Sequence, residues 1–117
     1  MNPTTILAGL LIVAFAALGS AKLAAVPAMR TKAEHVGFSV SAYRRIGALE
    51  VLGVLGLLVG AFVPLVGALA AVGLLILLGG AVLAHVKNGD GVREIAPALV
   101  LGAAALTFLI LIVGGLR

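Results

Sequence analysis

The chain has 117 residues, 63% of them in the hydrophobic class and 10% charged, with a mean hydropathy of +1.33. Soluble domains carry about 25% charged residues, so no polar shell can cover this much apolar sequence, and the chain reads as an integral membrane protein. Cysteine is absent, which excludes a disulfide framework, a thiolate metal site, c-type haem attachment and thiol redox chemistry in this chain. The net charge of +4 belongs to residues that flank apolar runs. It therefore reads as a topology signal facing anionic lipid, and no nucleic-acid partner is expected. Trp is absent and Tyr43 is the only tyrosine, so the interfacial aromatic belt is almost missing.

The first apolar run covers 4–26, with Lys22 its only charge and Pro27 at its end. Ala17-Leu18-Gly19-Ser20-Ala21 resembles a cleavage site, but residues 1–21 contain no Lys or Arg to make the basic region of a signal peptide. A retained span is expected. Residues 46–84 form a second apolar run of 39 residues, interrupted only by Glu50. At 1.5 Å per residue its helix would be about 58 Å long, twice a hydrocarbon core of about 30 Å. It must reverse, and Phe62-Val63-Pro64 is the natural place, because Pro suits the first turn of a new helix. Asn88-Gly89-Asp90-Gly91 reads as a turn, and a last span follows with Pro97 in its first turn. The expected architecture is an all-α membrane protein, a single-domain bundle of four transmembrane helices at about 4–26, 42–61, 64–86 and 95–116. Lys22, Arg30, Lys32, Arg44 and Arg45 lie in or beside the first connection, and Lys87 and Arg93 in the third. The positive-inside rule places both connections in the cytoplasm and the N and C termini on the non-cytoplasmic side. The expected location is a bacterial plasma membrane, with the lipid bilayer as the first partner.

Glu50 is the most informative residue. A lone acid at mid-membrane costs about 2.5–3.5 kcal/mol on an insertion scale, so it is either paired for structure or used. Residues advance about 100° per position round a helix, which puts Tyr43, Gly47, Glu50, Gly53, Leu57 and Gly60 near one face. Glycines let membrane helices pack closely, so Glu50 points into the bundle. Counting from the reversal, Glu50 lies about 18 Å below it, level with Ala16 or Ala17 on the first span. His85 is then about 15 Å away along the axis, which argues against a Glu50–His85 dyad. Lys22 and Arg45 are the expected ion-pair partners, with Thr107 and Tyr43 as further hydrogen-bonding candidates. His35, with His85 and the acids Glu34, Asp90 and Glu94, makes only a weak metal signal, and no metal ligands are assigned. Residues 30–35 are expected to rest on the headgroups, with Asp90 and Glu94 as surface charges beside Lys87 and Arg93. No serine-hydrolase elbow, zinc-protease motif, phosphate loop or dinucleotide fingerprint is present. No internal repeat supports an alternating-access transporter acting as a monomer.

Three strings carry a family resemblance: Gly19-Ser20-Ala21-Lys22-Leu23 in the first span, Arg45-Ile46-Gly47-Ala48-Leu49-Glu50-Val51-Leu52-Gly53 in the second, and Gly80-Ala81-Val82-Leu83-Ala84-His85 in the third, followed by Lys87 and Asp90. In these the chain resembles the DoxX-like family of small four-helix membrane proteins. Members of the broader group are associated with membrane redox systems, one branch as a subunit of a thiosulfate:quinone oxidoreductase and others with oxidative-stress complexes. The resemblance implies a redox-associated subunit that binds a quinone or another lipophilic ligand near Glu50, with Lys22, His85 and Thr107 as further ligand-binding candidates. Partners would then be membrane or redox proteins, or a second copy of the chain. The competing reading is a cofactor-free membrane enzyme, an isomerase, cyclase or hydrolase on an apolar substrate, with Glu50 as acid or base aided by Tyr43 and Arg45. A transporter or proton channel would require an oligomer.

Overall fold

A computed structural model describes residues 2–116. Its elements in chain order are α1 (Pro3–Leu23), α2 (Pro27–His35), α3 (Val40–Gly60), α4 (Pro64–Lys87) and α5 (Val92–Gly115), with no strand among the described residues. Five helices therefore stand where four were expected, because the first connection contains a short helix of its own. Three helices, α1, α4 and α5, are long and apolar enough to cross a membrane, so the chain is an integral membrane protein. α3 matches α1 at 21 residues but carries Arg44, Arg45 and Glu50.

Local chemistry sets the helix ends. Asn2 Oδ1 accepts from the Thr5 amide at 2.8 Å, capping α1 ahead of Pro3. Ser39 Oγ accepts from the Ala42 amide at 3.0 Å and caps α3. α1 stops at Leu23, short of the expected 26, because Ala25 takes a left-handed conformation with φ 51° and turns the chain into Pro27 at the start of α2. Arg30 Nε braces that turn by donating to the Ala25 carbonyl at 2.8 Å. α5 starts at Val92 rather than near 95, since Glu94 Oε2 accepts from the Gly91 amide at 3.0 Å and stabilises an earlier first turn. Pro97 consequently lies inside α5 rather than in its first turn.

α1 packs on α3, α3 on α4, α4 on α5, and α5 closes the ring on α1. The centre of the ring is filled by Leu11 and Phe15 of α1, Val54 and Leu57 of α3, Leu74 of α4 and Phe108 of α5, all buried. Leu10, Val13, Leu52, Leu69, Ile76 and Val100 point outward and are exposed. Lipid tails are as apolar as leucine, so close contact rather than a hydrophobic drive must hold the helices together. Glycine supplies it along α3. A Cβ on Gly60 would lie 2.5 Å from Gly67 Cα, and one on Gly56 would lie 2.7 Å from Ala70 Cβ, so α4 sits against the backbone of α3. At the other end, a Cβ on Gly47 would lie 2.7 Å from the Gly19 carbonyl oxygen, so α1 is equally close.

Candidate functional site

The Gly19–Gly47 crossing builds the polar centre. Lys22 lies one turn beyond Gly19 on α1, and Glu50 lies one turn beyond Gly47 on α3. Lys22 Nζ donates to Glu50 Oε1 at 2.6 Å. Glu50 is 3% exposed and is the only charged residue among the buried, described positions. The depth count is corrected here: Glu50 is level with Gly19, whose added Cβ would lie 3.1 Å from Glu50 Cβ, not with Ala16 or Ala17. The difference is two or three residues, about 3–4.5 Å along the helix axis. The shift brings Lys22 within direct reach.

Tyr43 completes the cluster. Its ring centroid is 5.3 Å from Lys22 Nζ, within cation–π range, and 6.2 Å from the Phe38 ring, which meets it edge-on. α2 roofs this centre. Met29 and Ala33, spaced four residues apart on one face of the helix, are buried. The crevice between Lys22, Met29, Ala33, Val40 and Tyr43 has no room for a water molecule. α2 is thus a packed lid on the ion pair as well as a carrier of Arg30, Lys32 and Glu34 on its exposed face.

The other sequence candidates lie elsewhere. Arg45 is exposed, while its neighbour Arg44 donates from Nε to the Leu23 carbonyl at 3.0 Å and ties α3 to the end of α1. Thr107 is exposed and donates its hydroxyl to the Ala103 carbonyl on its own helix at 2.8 Å. His85 is engaged with Asp90: its Nδ1 and Asp90 Oδ2 are 2.6 Å apart.

That contact opens a second polar cluster, whose two histidines and nearby acids the sequence offered only as a weak metal signal. Gly89, at φ 76°, ends α4 in a left-handed cap, with the Asp90 amide donating back to the His85 carbonyl at 2.9 Å. The cap folds Asp90 over His85, and its other oxygen, Oδ1, meets His35 Nε2 at 2.9 Å. Asn88 Nδ2 reaches Asp90 Oδ1 at 3.1 Å. Asp90 is therefore no loose surface charge beside Lys87. Its side chain is 8% exposed, and hydrogen bonds from His85, then from His35 and Asn88, hold its carboxyl below the ordinary value despite some desolvation. Glu94 is spent on the α5 cap. The signals that could have found this cluster are the Asn-Gly-Asp turn directly after His85 and Pro27 opening a helix that ends on His35.

A further cavity is separate from both clusters. It is a groove of about 630 Å³ along the outside of α3 and α4, with Leu52, Gly56 and Val59 on one wall and Ala70, Gly73 and Ile76 on the other. Its lining is apolar throughout, and Glu50 does not line it.

Comparison with curated proteins and with solved structures gave no significant match. The sequence model of the DoxX-like family matches residues 6–112, covering every helix that builds the bundle and both polar clusters. The chain belongs to the DoxX-like family.

Proposed function

We propose that this chain is an accessory subunit of a membrane redox system that seats a lipophilic ligand of the quinone class, and that it is not a catalyst in its own right. The observation that carries the reading is the α3–α4 groove. Its volume of about 630 Å³ falls within the range of about 300–1,000 Å³ typical of small-molecule pockets. Its lining mixes leucine, isoleucine and valine with glycine and alanine, and the small residues let a flat ring or an isoprenoid chain lie close to the backbone. The redox association rests on the family.

In this reading α1, α3, α4 and α5 all span the bilayer. The two connections rich in Lys and Arg face the cytoplasm and the termini lie on the other side. Lys22–Glu50 then meets the groove only through α3, as a lock that fixes the α1–α3 crossing. The enzyme reading is less well supported. A general acid or base needs access to its substrate, whereas Glu50 is buried, already bonded to Lys22 and roofed by α2.

The test is to purify the protein in a mild detergent, extract bound lipids, and titrate a ubiquinone analogue by fluorescence or calorimetry. Gly73 lines the groove and has no neighbouring atom within 4 Å of an added Cβ, so Gly73→Leu is the variant chosen to fill it. The expected result is saturable binding in the wild type that weakens at least tenfold in Gly73→Leu, with helicity and elution volume unchanged. Equal binding by the two proteins, or none by either, would remove the proposal.

A further inference from the structure

The cluster at the charged end of the bundle gathers two imidazoles and an amide around one carboxylate. His35 Nε2 lies 2.9 Å from Asp90 Oδ1 and 3.3 Å from Asn88 Nδ2. A ring nitrogen carries either a proton or a lone pair. Protonated, it donates to Asp90 but faces the Asn88 amine donor to donor. Unprotonated, it accepts from Asn88 but confronts a carboxylate oxygen. Turning the Asn88 amide over sets its carbonyl oxygen against Asp90 Oδ1, where the separation is 3.1 Å. With Nε2 protonated, His35 and Asn88 both donate to Asp90 Oδ1, whose two lone pairs accept both, and the 3.3 Å separation is that of two donors sharing one acceptor. The same convergence sets two imidazoles and a carboxylate close enough to share a cation in place of those protons.

One ligand atom from each of His35, His85 and Asp90 lies within 4.8 Å of the others. Tetrahedral zinc, with Zn–N and Zn–O bonds of about 2.0–2.2 Å, sets neighbouring ligand atoms about 3.3–3.5 Å apart. The observed 2.6 and 2.9 Å contacts fall on the two oxygens of Asp90, so the carboxylate bridges the two imidazoles, and an ion between them requires the ligand atoms to adjust from separations within 4.8 Å, which His35, at 51% side-chain exposure, is free to allow. Two imidazoles and one carboxylate are the ligand chemistry of a borderline divalent ion rather than of calcium or magnesium, which take oxygen. Asp90 is held in place by the Gly89 cap, whose backbone turns its carboxylate toward both histidines.

We propose that His35, His85 and Asp90 form a three-ligand site for a zinc-class divalent cation, joining the end of α2 to the α4–α5 connection. Asn88 stands beside the fourth position. The ion would fasten the lid helix over the Lys22–Glu50 centre, because His35 is the last residue of α2 and Ala33, two residues earlier, is part of that roof.

The experiment uses the full chain in detergent, purified through a tag that contains no histidine. Zinc chloride is titrated by calorimetry, and metal content is measured after dialysis. Cobalt chloride serves as the optical probe of coordination. The wild type is expected to bind one zinc per chain and to give the intense visible absorption of four-coordinate cobalt. His35→Ala, at an exposed position that does not threaten folding, is expected to weaken zinc binding at least tenfold, as are His85→Ala and Asp90→Asn. Glu34→Gln and Glu94→Gln, acids on the same face outside the cluster, are expected to bind as the wild type does. Absence of saturable zinc binding in the wild type would overturn the site, and so would an unchanged affinity in His35→Ala, which would mark any uptake as adventitious.

Discussion

Gly19 and Gly47 face each other so closely that a Cβ on Gly47 would lie 2.7 Å from the Gly19 carbonyl oxygen and 2.6 Å from Lys22 Cβ. This backbone contact sets the distance between α1 and α3, and that distance lets a lysine one turn along α1 reach a carboxylate one turn along α3. The ion pair is therefore a consequence of glycine packing as much as of charge.

Gly47→Ala tests that dependence. The added methyl group meets backbone atoms rather than the flexible end of a side chain, so the helices must separate. Overpacking of this kind costs about 1–3 kcal/mol, read as a lower midpoint of thermal unfolding in detergent. Gly9→Ala is the control. An alanine there meets nothing within 4 Å, and it should leave stability unchanged or raise it by about 0.5–1 kcal/mol, the helical advantage of Ala over Gly.

Glu50→Gln leaves Lys22 charged and largely enclosed without its counter-charge, although the glutamine carbonyl can still accept a hydrogen bond. Breaking a buried pair by removing one partner costs about 3–5 kcal/mol, with the upper end tempered here by the 12% exposure of the Lys22 side chain. Lys22→Met combined with Glu50→Gln should recover a large part of that loss, because no unpaired charge remains. A double-mutant cycle on unfolding in detergent gives the coupling energy. Strictly additive losses would show that the two side chains do not stabilise each other.

Ala25 occupies a left-handed conformation that costs a residue with a Cβ about 1–2 kcal/mol. Ala25→Gly relieves it, and after the added flexibility of the unfolded chain is offset, a net gain of about 0.5–1 kcal/mol is expected. The midpoint of thermal unfolding should rise. A fall would mean that the α1–α2 turn is held by the alanine side chain itself.

Asp90 predicts a pH dependence with a definite sign. Its carboxyl is held below the ordinary value of 3.8 by hydrogen bonds from His85, His35 and Asn88. The folded state therefore binds this proton less readily than the unfolded state. The resulting stabilisation is complete above the ordinary carboxylate range and is lost as pH falls through the lowered folded value. With a chelator present, unfolding midpoints measured from pH 6 down to pH 3 should fall more steeply at the acid end for the wild type than for Asp90→Asn. Parallel curves would remove Asp90 from the account.

Gly89 fixes that aspartate through backbone conformation alone. At φ 76° any residue with a Cβ is strained, so Gly89→Ala should cost about 1–2 kcal/mol and loosen the Asp90–His85 contact. The imidazole signals of His85 in an NMR spectrum should move, and those of a variant at the open position Gly79→Ala should not.

The membrane class, the helical architecture and the reversal before Pro64 follow from the amino-acid sequence, because they depend on local quantities: the length of apolar runs, the placement of Pro and Gly, and the cost of charge in lipid. The inward direction of Glu50 and its pairing with Lys22 were also within reach, since glycine periodicity marks the packed face and a lysine stem spans one turn. Other features depended on contacts between residues far apart in the chain. The register of α1 against α3 is set by one glycine crossing, which no count along a single helix measures. α2 lies in a stretch whose composition reads as headgroup-bound, and only its burial over Lys22 reveals Met29 and Ala33 as a roof. His35 and Asp90 are 55 positions apart, and although the Asn-Gly-Asp turn and the two histidines were legible, which acid bridges them depends on the left-handed Gly89 and on where α2 lies. Local sequence thus determined which segments are helices and which side chains are costly in lipid, while the tertiary structure decided which of those side chains meet, because partner choice is set by interhelical register and backbone turns rather than by the residues' own preferences.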